Sequence, residues 1–273
     1  MMAAPFSSMD SRVPDKCSPG ANPHLLAFDF SSSRDTADCL LGIGEVHLWH
    51  GTRADSAHQF QDLLDLLAQD ERERMARFHF QNDRRDFAFA RGMLRTVLGR
   101  YLHSEAKRLC FSYSEHGKPH LAGPYSDSGL EFNLSHSGGR VLIGVCLRHQ
   151  IGVDIEQFRD DIDVDGVSER FFSTLERAAL RELPLPLRRA AFFHCWTRKE
   201  ALVKAQGDGL TFPLDLFDVS IGVAERKVSL ETRPDPAKAG EWRIYRVPVP
   251  EAYAAAVAVR VPAPWQYIGE SMA

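Results

Sequence analysis

The sequence predicts an α+β fold built as two similar α+β halves related by a pseudo-two-fold axis, with the active site in the crease between them. Three observations carry that expectation. Segments alternating apolar and polar residues read as strands, and two long segments with apolar residues recurring at three and four read as helices. A charged helix followed by a long one occurs twice, at residues 71–78 and 87–102 and again at 175–183 and 188–205. Strands follow each helix pair, at an offset of about 100 residues. Chance similarity of two helix pairs would give the same pattern, so duplication is one of two readings open here. If it holds, the crease between the halves is a natural place for a ligand.

The elements follow in order. Residues 1–38, rich in Ser, Pro, Ala and Asp, are expected to be an extension, disordered in part. Residues 39–148 are expected to make the N-terminal half and 149–273 the C-terminal half, which holds the acidic residues that could take a cation. Residues 44–50, around Glu45-Val46-His47-Leu48-Trp49, form a first strand and 57–67 a helix. Residues 70–78 are a charged helix and 87–102 (FAFARGMLRTVLGRYL) a strongly amphipathic one. Residues 109–114 are a strand and Gly117-Lys118-Pro119 a turn. Residues 131–134 and 141–147 are strands flanking a polar corner at 135–139, and 151–156 is the next strand. Residues 167–172 and 175–183 are helical, Pro184-Leu185-Pro186 breaks the chain, and the helix at 188–205 is stopped by Gly207 and Gly209. Strands at 217–221, 227–231, 242–247 and 254–261 complete the chain.

Composition bounds the function. At 273 residues, 44% hydrophobic and 26% charged, the chain has ample material for a core. A formal net charge of −4 gives no global basic field for nucleic acid. The longest apolar stretches, 141–147 and 252–259, are too short to span a bilayer, and no basic-then-apolar leader opens the sequence. The five cysteines are scattered, with no CxxC pair and no structural-zinc spacing. A cytoplasmic protein is expected, without nucleic-acid or membrane partners.

Two segments stand out. Ile151-Gly152-Val153-Asp154-Ile155-Glu156 alternates, so Asp154 and Glu156 share one strand face while Ile151, Val153 and Ile155 pack on the other. In Trp196-Thr197-Arg198-Lys199-Glu200-Ala201-Leu202-Val203-Lys204, the residues Trp196, Glu200 and Lys204 share a helix face. Together these offer three carboxylates and a lysine, which suits a hard divalent cation beside a phosphate. Taken separately, a solvated acidic strand face and an ordinary i,i+4 pair explain them as well. Asn133-Leu134-Ser135-His136-Ser137-Gly138-Gly139 is dense in donors, as phosphate-binding corners are, though a plain polar turn has the same composition. Lys118, in its turn, and Arg74, in the charged helix, are further candidate cations. There is no GxSxG, HExxH, Walker loop or GxGxxG after a strand, so the nucleophile is expected to come from a partner.

The order GKP, NLSHS, GVDIE and WTRKEALVK resembles the phosphopantetheinyl transferases. The closest type is the larger, pseudo-dimeric one that activates nonribosomal peptide and polyketide synthases. The likeness runs from about residue 71 to 213. It implies transfer of the 4'-phosphopantetheine arm of coenzyme A to a serine of an apo acyl or peptidyl carrier protein, releasing 3',5'-ADP. By the resemblance, Asp154, Glu156 and Glu200 are magnesium ligands, and Lys204 neutralises or protonates the leaving phosphate. Ser135, His136 and Lys118 contact the nucleotide phosphates, and Arg74 faces the 3'-phosphate. Glu200, directly or through a water, is the candidate base. A single chain would already contain the crease, so a monomer is expected. A magnesium-dependent nucleotide pyrophosphohydrolase would use the same acids but leaves the GKP and NLSHS segments unexplained; a non-catalytic carrier-binding module is the third reading.

Overall fold

The computed structural model describes residues 22–31, 39–54, 60–207, 209, 212–232 and 235–261. Two four-stranded sheets organise them. The first has the order β1 (His24–Asp29), β2 (Glu45–Thr52), β6 (Arg140–Leu147), β5 (Leu130–Ser137). The second runs β7 (Ile151–Gln157), β12 (Tyr253–Arg260), β11 (Trp242–Arg246), β9 (Lys227–Val228). Two short hairpins accompany them: β3 (Cys110–Tyr113) with β4 (Pro119–Ala122), and β8 (Phe217–Val219) with β10 (Leu230–Thr232). The helices are α1 (Phe60–Asp65), α2 (Gln69–Ala76), α3 (Gln81–Tyr101), α4 (Val164–Phe171), α5 (Thr174–Glu182) and α6 (Leu185–Gln206). The fold is therefore α+β, and among the described residues no helix is long and apolar enough to cross a membrane.

Strand parity builds the layers. On β2 and β6, Trp49, Val141, Ile143 and Val145 pack under α3 with Phe89, Met93, Leu94 and Leu98. The alternate residues Val46, Leu48, Leu142 and Cys146 face the second sheet, meeting Ile151, Val153 and Ile155 of β7 and Val257 and Val259 of β12. On the far side of that sheet, Ala254, Ala256 and Ala258 lie under Phe192, Cys195, Leu202 and Val203 of α6. Each sheet thus has a long helix outside and its neighbour inside.

The approach of α6 to β7 is unusually close. A Cβ added at Gly152 would run into the Ala201 carbonyl oxygen and the Ala205 nitrogen, both backbone atoms of α6. Alanines in register on β12 (Ala256 opposite Asp154, Ala258 opposite Gly152) keep the surface low beside it. Pro186 falls in the first turn of α6, where its missing N–H is not needed, so the helix begins at Leu185 rather than after the prolines. Gly207, at φ +86°, caps the other end in the left-handed region, its N–H donating to Val203 O.

Other elements depart from the expected ones for physical reasons. The polar corner is only Gly138-Gly139, whose φ values of +56° and +75° suit a two-residue hairpin. Ser135, His136 and Ser137 belong to β5, with Ser137 opposite Arg140. The helix at 87–102 starts six residues earlier, because periodicity marks only its buried part and residues 81–85 are solvated helix. Residues 227–231 divide between two sheets, β9 pairing with β11 and β10 with β8. His24–Asp29, assigned to the extension, pairs in parallel with β2; the remainder of that segment to residue 21 and residues 32–38 lies outside the described residues, as do 57–59 of the expected first helix. Gly152→Ala should lower stability by about 3 kcal/mol or more, since the atoms met are backbone and cannot swing aside. Thermal and denaturant unfolding of the variant would check this.

Candidate active site

The acidic strand does not face solvent. Because α6 lies directly on β7, the even-numbered side chains of β7 meet the helix, and Asp154 is only 1% exposed. Its Oδ1 accepts from Lys204 Nζ at 2.6 Å and from Ser135 Oγ at 2.8 Å. Its Oδ2 is buried with no hydrogen-bond partner. Glu200, on the same face of α6 as Lys204, is also buried, and its Oε1 likewise has no partner. Glu156, half-buried two residues along β7, accepts from Ser137 Oγ at 2.7 Å. Lys204 Nζ also donates to Ser135 Oγ at 3.1 Å.

Burial dominates the electrostatics, and the charges gathered there modify it. Burial, with Asp154 and Glu156 adding to it and Lys204 opposing, pushes the Glu200 carboxyl up to about 7. Burial and Asp154 also push Glu156 up. Burial works against the Lys204 ammonium, but Asp154, Glu200 and Glu156 outweigh it and hold its pKa above the usual lysine value. Two buried carboxylate oxygens without donors, beside a third acid, form a site that a cation would complete. As the side chains stand, Lys204 occupies Asp154, and among the described residues no three His, Cys, Asp or Glu side chains are gathered as ligands.

The four expected phosphate contacts are placed differently from one another. Ser135 is buried, and its hydroxyl is engaged by Asp154, Lys204 and the Ile155 N–H, so it orders the acids rather than presenting a donor outward. Lys118 is committed to structure: its Nζ donates to the carbonyls of Ile151 (3.1 Å), Lys204 (2.8 Å) and Ala205 (3.2 Å), tying the GKP turn to the end of α6. Burial lowers its pKa. His136 points from the opposite face of β5, exposed, in the field of Asp86, Lys204 and Asp83. Arg74 stays on the exposed face of α2, its guanidinium 5.7 Å from the Phe87 ring centre. Trp196 packs against Phe171 and Phe192.

Sequence reasoning gave Asn133 and Ser137 no role of their own and Ser135 a different one, and so missed the seam between β5 and β7. Asn133 Oδ1 accepts from Val153 N at 2.9 Å, Ser135 Oγ from Ile155 N at 3.4 Å, and Ser137 Oγ from Gln157 N at 3.2 Å. The signal was present as polar residues at period two. It also passed over Lys199, wholly buried and held by Glu176 at 2.8 Å and by the carbonyls of Leu214 and Phe217 at 2.7 Å each.

Two outcomes follow. Lys118→Met should lower stability by about 1–3 kcal/mol, because three carbonyls lose their donor; the unfolding midpoint measures it. A carboxyl raised to about 7 in the folded state and ordinary in the unfolded one destabilises as pH rises through that interval, fully so above it. In EDTA, Glu200→Gln should therefore match wild type near pH 4.5 and exceed it at pH 8 by up to about 3 kcal/mol, read from unfolding at both pH values.

Comparison with known proteins gives the family. Residues 150–258 match the 4'-phosphopantetheinyl transferase superfamily, and residues 49–147 match 4'-phosphopantetheinyl transferase, N-terminal. The 4'-phosphopantetheinyl transferase HetI of Nostoc sp. is 39% identical over 215 residues, covering 79% of this chain and 87% of that one. The 4'-phosphopantetheinyl transferase Sfp of Bacillus subtilis is 30% identical over 176 residues, covering 64% and 75%. A Thermotoga maritima holo-[acyl-carrier-protein] synthase crystal structure aligns with a TM-score of 0.33 at 17% identity, covering 41% of this chain and 62% of that one. The chain belongs to the 4'-phosphopantetheinyl transferase superfamily and is a 4'-phosphopantetheinyl transferase.

Proposed function

We propose that the chain moves the 4'-phosphopantetheine arm of coenzyme A onto a serine of an apo acyl or peptidyl carrier protein at the junction of β5, β7 and α6, releasing 3',5'-ADP. The observation that carries the placement is the pair of buried, unpartnered oxygens, Asp154 Oδ2 and Glu200 Oε1, beside Lys204. The donor set fits a magnesium ion, which takes a few carboxylates and fills its remaining positions with phosphate oxygens and water. Asp154, Glu156 and Glu200 are the residues that would hold it. When bound, it supplies Lewis-acid polarisation of the phosphoryl group and neutralises charge on the leaving phosphate.

The chain's own residues do the rest by placement. The carrier serine forms the new O–P bond as the P–O bond to 3',5'-ADP breaks, and the serine proton goes to a base. Glu200, directly or through a water, is that base in this reading. Lys204, partly exposed and held charged by three carboxylates, stabilises the leaving phosphate. Ser135 holds Asp154 in place.

The two-half reading belongs to this proposal as well, with boundaries at 39–148 and 149–273 and a pseudo-two-fold axis between them. What supports it is topology: β2-β6-β5 and β7-β12-β11 are both antiparallel runs. In each, a long helix, α3 or α6, separates the first strand from the later two. With the crease inside one chain, the enzyme works as a monomer, in the cytoplasm where its carriers are made.

Intact mass spectrometry of an apo carrier protein incubated with the enzyme, coenzyme A and Mg²⁺ tests the reaction. The expected result is a gain of one phosphopantetheine, abolished by EDTA. Release of 3',5'-ADP without carrier modification would instead mean hydrolysis. Asp154→Ala and Glu200→Ala should each lower turnover about a hundredfold or more while remaining folded. Near-wild-type turnover of either at saturating Mg²⁺ would remove that residue from the site.

A further inference from the structure

The seam between β5 and β7 follows a rule. Both strands are sheet edges, and β7 turns the N–H groups of Val153, Ile155 and Gln157 toward β5. β5 answers not with its backbone but with the side chains of Asn133, Ser135 and Ser137. The side chain used matches the residue preceding each of those N–H groups. Before Val153 stands Gly152, with nothing to hold, and the partner is an amide oxygen that only needs to accept. Before Ile155 and Gln157 stand Asp154 and Glu156, and the partners are hydroxyls. A hydroxyl accepts and donates at once. Ser135 accepts from Ile155 N while donating to Asp154 Oδ1, and Ser137 accepts from Gln157 N while donating to Glu156 Oε2.

We infer that Ser137 is a positioning residue for the transfer reaction: by fixing one oxygen of Glu156 to the β5 edge, it sets the orientation in which that carboxylate joins Asp154 and Glu200 around the cation. The inference rests on the metal reading above. Asp154 needs less help, since Lys204 and Ser135 both hold it. Glu156 is half-buried, and Ser137 is the partner that restrains it. The hydroxyl is itself well anchored. The hairpin turn that follows it is tied across to β12 by Tyr253, whose hydroxyl donates to Gly138 O at 2.9 Å. The Gln157 and Tyr253 side chains both pack closely on that turn at Gly138. Groups that hold a metal ligand from behind commonly account for 10–100-fold in metal affinity.

The test uses Mn²⁺ as the probe, titrated into the full-length enzyme with saturating coenzyme A and no carrier, with bound ion read by electron paramagnetic resonance. Ser137→Ala should bind Mn²⁺ roughly 10–100-fold more weakly than wild type, and Ser137→Thr, which keeps the hydroxyl, should stay close to wild type. If Ser137 acts through Glu156, adding Ser137→Ala to Glu156→Gln should weaken binding no further, a non-additivity that a merely structural serine would not give. Wild-type affinity in Ser137→Ala, equal losses in the Ala and Thr variants, or additive losses in the double variant would each overturn the inference. Should Ser137→Ala fail to fold, Ser137→Cys, similar in size but a poor donor, takes its place in the same cycle. A wild-type enzyme that neither binds Mn²⁺ nor modifies a carrier would instead overturn the metal reading itself, and the inference with it.

Discussion

The packing of α6 against β7 without an intervening layer of side chains is the constraint on which the rest depends. Helices and sheets ordinarily stand about 10 Å apart, separated by interdigitated side chains. Here Gly152 and the alanines of β12 let backbone meet backbone. Only at that separation does the short side chain of Asp154 reach the Lys204 ammonium at 2.6 Å while remaining almost wholly buried. The same alternation gives β7 two unlike faces. Ile151, Val153 and Ile155 anchor it in the core between the sheets, and that anchoring is what allows charged residues on the other face to be held fixed.

The seam extends this logic to the first sheet. The facing surfaces of β2, β6, β7, β11 and β12 are mainly apolar, and burying them supplies the non-directional part of the association. β5 alone turns Asn133, Ser135 and Ser137 toward the second sheet. Apolar side chains there would bury more hydrocarbon but leave three N–H groups of β7 without acceptors and take one donor from each of two acids, and an unmade buried hydrogen bond outweighs a methylene or two. Polar residues on β5 therefore serve stability and chemistry together, by satisfying an exposed sheet edge and by orienting the acids behind it.

Much of this was legible in the sequence because two of its signals are periodic. Alternation in residues 151–156 gave the faces of β7, and four-residue spacing put Glu200 and Lys204 on one side of α6. What stayed hidden lies in the third dimension. Nothing local in GKP distinguishes a lysine facing a nucleotide from one capping three carbonyls. Lys118 capped them because the end of α6, some 86 residues later in sequence, arrives beside it. His136 and Ser135 looked alike as donors in a polar corner; the strand continues through both, so parity sends them to opposite faces, one exposed and one buried. The split of residues 227–231 between two sheets likewise depends on where β11 and β8 lie, which no window of that length contains.

Lys199 and Glu200 are consecutive on one helix, both buried, both charged, and the difference between them separates structure from function. Lys199 sits with a carboxylate and two carbonyls, as many acceptors as its ammonium has protons, and it pins α6 to α5 and to the chain leading into β8. Removing one partner would leave a charge stranded, so the group is a fastener with no spare capacity. Glu200, on the other side of the helix, faces two more acids and keeps an oxygen without any donor. Such an oxygen, gathered with other acids, is suited to completion by a group from outside the chain or to use of its altered proton affinity. Burial and charge are common to both residues. The unfilled hydrogen-bonding capacity of the second, beside two more acids, is what supports placing the proposed reaction there.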